Sequence, residues 1–380
     1  MNKRFPHQSL NATRKGADFL EARSARSNRI FFLASDIEAP SGGRAFVYHL
    51  VDILVRNGFD ACVLHQTQNF RYRWFENTTP VRWTDQIKRS RIKNCKQWLR
   101  FQQNKIKTSW SQTLQATERT AKCTSVNPQD ILVIPETRAA AFHKIFPGVP
   151  KIILNQNPYF FFQDKGLKTP ELSLHHPDIK GCIAMSKLDY EMHCLVAPKN
   201  TWHVPYFIDA DRYHYAEVKK RQIAYMPRRL KKDADAVINL LKIRNRLQGF
   251  TFVPIAGMSQ QRVSQVLQDS LMFLSFSHRE GFGLPPAEAI ACGCLVIGYS
   301  GNGGDEFFDK DVAFKVPHGD LARYVKTVES TLAEYVQAPE ALNRFRRQAS
   351  EYILQTYSKA ETNRRFLTAW NGVVQGIGET

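Results

Sequence analysis

Strand-sized apolar runs alternate with helix-sized amphipathic ones in this chain, and the alternation happens twice. No other feature restricts the fold as much. "RIFFLASD" reads as a buried strand, "APSGGRA" as a glycine-rich turn, "FVYHLVDILVRNG" as a helix stopping at Gly58, and "DACVLHQ" as a second strand. A strand–loop–helix–strand unit of this kind opens a doubly wound parallel sheet. "DILVIPE" continues it as a strand, "KIILNQNPYFFF" as a strand running into an aromatic loop, "GCIAMSKLDYEMHCLV" as strand then helix, and "WHVPYFIDADRY" as a strand with a polar exit. Then the pattern restarts with "RQIAYMPRRLKKDADAVINLLKIRN" as strand, basic loop and helix. "FTFVPIAG", "LMFLSFS" and "CLVIGYS" follow as strands, separated by "SQQRVSQVLQDS" and "PPAEAIACG" as helices, and two long helical stretches complete the chain. Two α/β blocks of similar size meet near residues 206–222.

The 380 residues exceed one ordinary core and suit two domains. The reading is a flexible basic arm over 1–28, a Rossmann-like domain over 29–205 with a basic insertion at 70–125, a second Rossmann-like domain over 206–355, and a C-terminal helix over 356–380 that returns to the first domain. No apolar run reaches the length of a membrane span. The basic N-terminus lacks the apolar stretch of a secretory signal, so a cytoplasmic chain is expected. Seven cysteines, with no CxxC pair among them, read as reduced thiols; no metal site and no cofactor are expected. The net charge is +18, and most of it falls in two windows: residues 1–29 hold seven Lys/Arg against two acids, and residues 70–125 thirteen against three. Such patches attract polyanions. Over 83–107, Trp83, Ile87, Cys95, Trp98, Leu99 and Ile106 fall at roughly helical spacing among the basic residues, which suits an amphipathic helix on an anionic membrane surface.

The chemistry concentrates in "SHREGFGLPPAEAIACGCLVIGYSGNGGDEFF", residues 277–308. A strand ends at Glu280, four residues bridge, and a proline-started helix carries Glu288. The amides of Gly281, Phe282, Gly283 and Leu284 lie near a helix N-terminus, where phosphate is favoured. Two acids beside a phosphate site make sense as acceptors for hydroxyl groups. Glu280 is placed to take sugar hydroxyls and Glu288 a ribose diol, with His278 lining the site. Cations at the N-terminus of the same domain's first helix (Arg228, Arg229, Lys231, Lys232) oppose the helix dipole, which argues for a bound anion there.

This stretch resembles the Glu-x7-Glu signature of retaining glycosyltransferases of the GT-B architecture, close to glycosyltransferase family 4, and "EGFGLPPAEAIACGCLVI" is similar to it nearly residue by residue. The resemblance spans about residues 29–375 and is strongest in the second half. It implies two Rossmann-like domains facing a central cleft. It also implies that Glu280 contacts the donor sugar, Glu288 holds the ribose, and an Arg and a Lys, here Arg228 and Lys232, cradle the diphosphate. Gly303-Gly304-Asp305-Glu306 stands where the family has a Gly-Gly pair and an acid. Ser41-Gly42-Gly43-Arg44 resembles the first loop, which faces donor phosphates through Gly42 and Gly43 and the acceptor through Arg44. Asn155 and Asn157 stand where the family often has a polar group contacting donor or acceptor. The implied reaction moves a sugar from a nucleotide-diphosphate donor to a hydroxyl acceptor, a cell-envelope glycan or lipid-linked saccharide, with retention and without a metal. The departing phosphate takes the acceptor proton, and Glu280 positions rather than attacks. Two rival readings are a nucleotide-sugar epimerase of the same fold and a basic nucleic-acid binder. No nucleic-acid-binding signature accompanies the charge.

Overall fold

The computed structural model describes residues 28–39, 41–87, 122–163, 173–309 and 311–378. The proposed basic arm, most of the 70–125 insertion and the membrane-facing reading of 83–107 beyond Ile87 lie outside these residues. The first sheet has eight parallel strands in the order β4-β3-β2-β1-β5-β6-β7-β8. They are β1 (Ile30–Leu33), β2 (Ala61–His65), β3 (Val81–Trp83), β4 (Lys122–Cys123), β5 (Ile131–Pro135), β6 (Lys151–Asn155), β7 (Ile179–Ala184) and β8 (Thr201–His203). The second has five parallel strands in the order β10-β9-β11-β12-β13: β9 (Lys220–Tyr225), β10 (Thr251–Pro254), β11 (Ser270–Glu280), β12 (Leu295–Asn302) and β13 (Phe314–Lys315). Helices cover both faces, so the central strands β1, β2 and β6 are buried along their whole length, as continuous apolar runs require.

Local sequence explains most boundaries, and some of its expectations need correction. Gly42 and Gly43 are not a loop. Ser41 caps the Gly42–Arg56 helix by accepting from the Arg44 amide at 3.4 Å, and the glycines form its first turn. "NPYFFF" is not a loop either: Asn157 caps a short helix, Pro158–Phe162, with proline in the first turn where no intrahelical donor is needed. The long C-terminal helical stretch breaks at Tyr357 into Pro339–Thr356 and Lys359–Gly378.

The chain crosses between the domains twice, and the crossings touch. The outgoing segment donates its Ile208 amide to the Tyr357 carbonyl of the returning one at 2.8 Å. Both rest on Phe282, which lies 5.5 Å from Tyr206, 5.0 Å from Tyr357 and 5.1 Å from Phe307, centroid to centroid. One apolar cluster therefore runs through both domains. Beyond the crossing, the Lys359–Gly378 helix packs on the first domain. Fully buried Trp370 lies 6.1 Å from Phe32 and 6.4 Å from Phe59, and His49 bonds Asn363 at 3.0 Å.

Candidate active site

The C-terminal ends of both parallel sheets face one another, the position where open α/β sheets gather ligands. On the second domain, β11 carries a bulge between Ser277 and Glu280, with Arg279 in the left-handed region at φ 48°. Bulges re-aim side chains at sheet ends. Here the result is a corner of cations around one acid. Arg229 grips Glu280 with two parallel bonds, 2.7 and 3.2 Å. Arg228 feels both partners: desolvation and the like charge of Arg229 lower its pKa, and Glu280 opposes them. The pKa of His278 is also lowered, first by desolvation and then by His318, Arg279 and Arg229. Positive charge crowded in this way attracts anions. Lys232 stands exposed on the first turn of the Lys231–Arg244 helix, while Lys231 is engaged with Asp235 at 2.5 Å.

Glu288 sits in the Leu284–Ala291 helix on the opposite flank. As a residue it is half-buried, but its carboxyl is closely surrounded, and desolvation raises its pKa to about 8 against the opposing hydrogen bond from Tyr213 and the charge of Arg212. The helix N-terminus is poorer in donors than an ordinary one. Gly283 caps it at φ 95°, and Pro285 and Pro286 have no N–H, leaving the Gly283 and Leu284 amides.

Several residues assigned to ligand contact from sequence are occupied by protein instead. A Cβ on Gly281 would stand 1.9 Å from the Gln156 carbonyl oxygen, so this glycine permits the two domains to touch. Gly42 and Gly43 have similar duties: a Cβ there would meet Leu284 Cδ1 or Gln156 Oε1 at 2.6 Å, and Gln156 donates to the Gly43 carbonyl at 2.8 Å. Phe282 is 2 % exposed among the aromatic rings at the crossing, so it supports the bridge from below and offers no face to a donor. Asn155 is fully buried and donates to Asp189 Oδ1 at 2.5 Å beside His193, which removes it from acceptor contact. Arg44 turns back on its own loop, donating to Ser35 at 3.3 Å and to the Ala39 carbonyl and lying 5.1 Å over the Tyr72 ring, so it too is a structural cation here. Asn157 does reach the cleft: its side chain donates to the Arg279 carbonyl at 3.1 Å, beside Glu280.

Sequence reading passed over Glu136, the residue directly after β5. It is 5 % exposed, accepts from the Gln156 amide at 3.3 Å, and burial raises its pKa to about 8. An acid directly following a fully apolar strand of a parallel sheet was the available signal, because that end of the strand faces the cleft. The folded-state values of Glu136 and Glu288 both exceed the unfolded carboxylate value. The folded protein therefore retains protons that the unfolded chain releases between about pH 4.5 and 8, and stability falls across that window. Urea unfolding should show lower stability at pH 9 than at pH 5.5. Glu136→Gln should remove about 3 kcal/mol of that fall, and an unchanged slope would refute the burial argument. Among the described residues no group of three or more His, Cys, Asp and Glu is placed to hold a metal ion, and no helix is long and apolar enough to cross a membrane.

Known proteins share part of this sequence and its fold. Residues 218–352 match the family described as "Glycosyl transferases group 1". A 219-residue segment is 26 % identical to an alpha-1,6-glucosyltransferase of Actinobacillus pleuropneumoniae serotype 7, covering 55 % of this chain and 65 % of that protein. The match thus spans just under two thirds of the relative's length. Among solved structures, a sucrose-phosphate synthase from Thermosynechococcus elongatus superposes with a TM-score of 0.61 at 11 % identity, covering 92 % of this chain and 99 % of its own. The Anabaena protein HepE, solved with UDP and glucose, gives 0.58 at 14 % identity, covering 90 % and 99 %. Residues 218–352 are a glycosyl transferases group 1 domain, and they form the second half of a two-domain GT-B fold.

Proposed function

We propose that this chain is a retaining glycosyltransferase that moves a sugar from a nucleoside-diphosphate donor to a hydroxyl group of a glycan or lipid-linked acceptor. The observation that carries the reading is the arrangement of Glu280 and Glu288 on either flank of one strand–bridge–helix turn, with Arg228 and Arg229 beside Glu280 at the mouth of the cleft. The group 1 match over this stretch, the glucosyltransferase relative and the UDP-bound fold neighbour support it. In the reaction the bond from the anomeric carbon to the leaving phosphate oxygen breaks, its electron pair stays on the diphosphate, and the acceptor oxygen bonds the same carbon. The acceptor proton passes to the departing phosphate. Arg228, Lys232 and the remaining bridge amides offset the charge that grows on the diphosphate, with no metal invoked. Arg229 holds both oxygens of Glu280, which favours a positioning role for that carboxylate over a nucleophilic one. Glu288 takes the ribose diol.

A cytoplasmic enzyme at the inner face of an envelope membrane fits the chain's basic surplus. A thermal-shift screen with UDP, ADP, GDP and their sugars tests the donor assignment. At a hundredfold excess over its Kd, a true ligand stabilises by about 2.7 kcal/mol, and Glu288→Ala should erase that rise. If no nucleotide in the screen raises the melting temperature of the unaltered chain, the reading fails.

A further inference from the structure

Glu306 ends the short 3-10 turn Gly303–Glu306 and joins three parts of the molecule that are distant in sequence. One carboxylate oxygen accepts the backbone amide of Lys187, the first residue of the Lys187–Cys194 helix in the first domain, at 2.6 Å. The other accepts the hydroxyl of Tyr357, on the returning chain crossing, at 3.0 Å. Its neighbours are part of the same seam. Asn302, at φ 68°, donates to the Tyr159 hydroxyl of the first domain at 2.6 Å. Gly303 lies so close to the Glu280 and Gly281 carbonyls that a Cβ would stand 2.4 and 2.2 Å from them. The turn is therefore held on one side by the strand end that bears Glu280 and on the other by the first domain, with Glu306 as the tie.

We propose that Glu306 is a positioning residue that fixes the Gly303–Glu306 turn, and through it the Glu280 end of β11, to the closed arrangement of the two domains. The proposal rests on the glycosyltransferase reading for its consequence: domain closure and placement of the donor sugar become one event. Its structural content stands without that reading. The charged groups facing Glu306 are Lys187 and Glu191 on the first-domain helix, and the neutral phenol of Tyr357 faces it from the crossing, while Asp305 on its own turn is engaged by Lys315 at 2.7 Å. Desolvation, the largest influence, raises the Glu306 pKa to about 7, and the Lys187 amide and Tyr357 hydroxyl oppose it. A carboxyl that ionises less readily when closed in makes the seam tightest at acidic pH and looser as pH rises through 7.

Lys187 acts on Glu306 through both its backbone amide and its side-chain charge, so Lys187→Ala, which loses the charge and keeps the amide, is the control for Lys187→Pro. It occupies the first helical position after the Ser186 cap, and Ser186 is extended at φ −146°, ψ 165°. Proline is well accommodated at such a position and after such a residue. Lys187→Pro therefore deletes the donor and spares the helix. Hydrogen exchange of the full chain, followed by mass spectrometry with and without UDP, should show at least tenfold faster exchange over residues 279–284 and 303–307 in Lys187→Pro, with strands β1 and β2 and residues 295–300 of β12 unchanged. Glu306→Gln should keep the protection, since an amide can accept from Lys187 and donate to Tyr357, and should lose the pH dependence of seam exchange near 7. Unchanged seam protection in Lys187→Pro, or uniform loss across the core, overturns the proposal. Seam loosening in a chain whose exchange and melting never respond to nucleotides would keep the tie and reject the glycosyl-transfer reading.

Discussion

Gly281→Ala is expected to lower turnover about a hundredfold or more while leaving each domain folded. The added methyl would stand 1.9 Å from the Gln156 carbonyl oxygen, 2.9 Å from its carbon and 3.0 Å from the Asn157 Cα. All three are backbone atoms fixed at the end of β6, so no side chain can swing aside. The domains must part at the seam by an ångström or more, which separates Glu280 and its cation corner from whatever the first domain presents. Misplacement on that scale costs about 10²-fold in a reaction that depends on alignment. Small-angle scattering should show a larger radius of gyration, and donor turnover with whichever nucleotide sugar stabilises the protein should collapse. A variant with normal scattering and normal turnover would mean that the contact with Gln156 does not govern the active arrangement.

Trp370→Ala should be the most damaging change to stability away from the cleft, at about 3–5 kcal/mol. The indole is fully buried against Phe32, Phe59 and Phe366, and it fastens the last helix to the first domain. Its Nε1 has no hydrogen-bond partner among the described residues. Trp370→Phe removes that unsatisfied donor while retaining most of the apolar volume, and its cost should stay within about 1.5 kcal/mol. Urea unfolding of the two variants separates the volume contribution from the polar one. Equal losses would show that the indole nitrogen matters more than the packing.

The two-sheet architecture was legible because buried parallel strands leave unmistakable runs, such as "RIFFL", "DILVI" and "LMFLSFS", and helices between them leave an amphipathic period. What escaped was short or relational. Strands β3, β4 and β13 have only two or three residues and no periodicity to detect. The Pro158–Phe162 helix hid its start behind an aromatic cluster, although Asn157-Pro158 is a good cap and first-turn pair. At the site, residue type was informative and environment was not. Gly281 and Phe282 look like parts of a ligand loop in one dimension, but their neighbours, Gln156 in one case and Tyr206 and Tyr357 in the other, come from more than seventy residues away along the chain. Asn155 ends β6 and turns into the first domain's interior, whereas Asn157 lies past the strand as the cap of the Pro158–Phe162 helix, and the change of backbone there sends it to the seam. Glu136 follows an apolar strand, which marks the cleft end of the sheet, but its enclosure depends on neighbours such as Gln156 that are remote in sequence.

The adjacency of the two crossings has a consequence for how such a chain can be rebuilt. Because the Ile208 amide meets the Tyr357 carbonyl at 2.8 Å, the whole intervening stretch leaves and rejoins the first domain at one spot. Everything from 209 to 356 is in effect a loop with its ends tied together, and the family match at 218–352 falls inside it. A segment with coincident ends can be exchanged as a cassette. Grafting a different second lobe onto this first lobe would require preserving the ring of Tyr206, Phe282, Phe307 and Tyr357 together with the seam contacts of Gln156 with Gly281 and of Lys187 with Glu306.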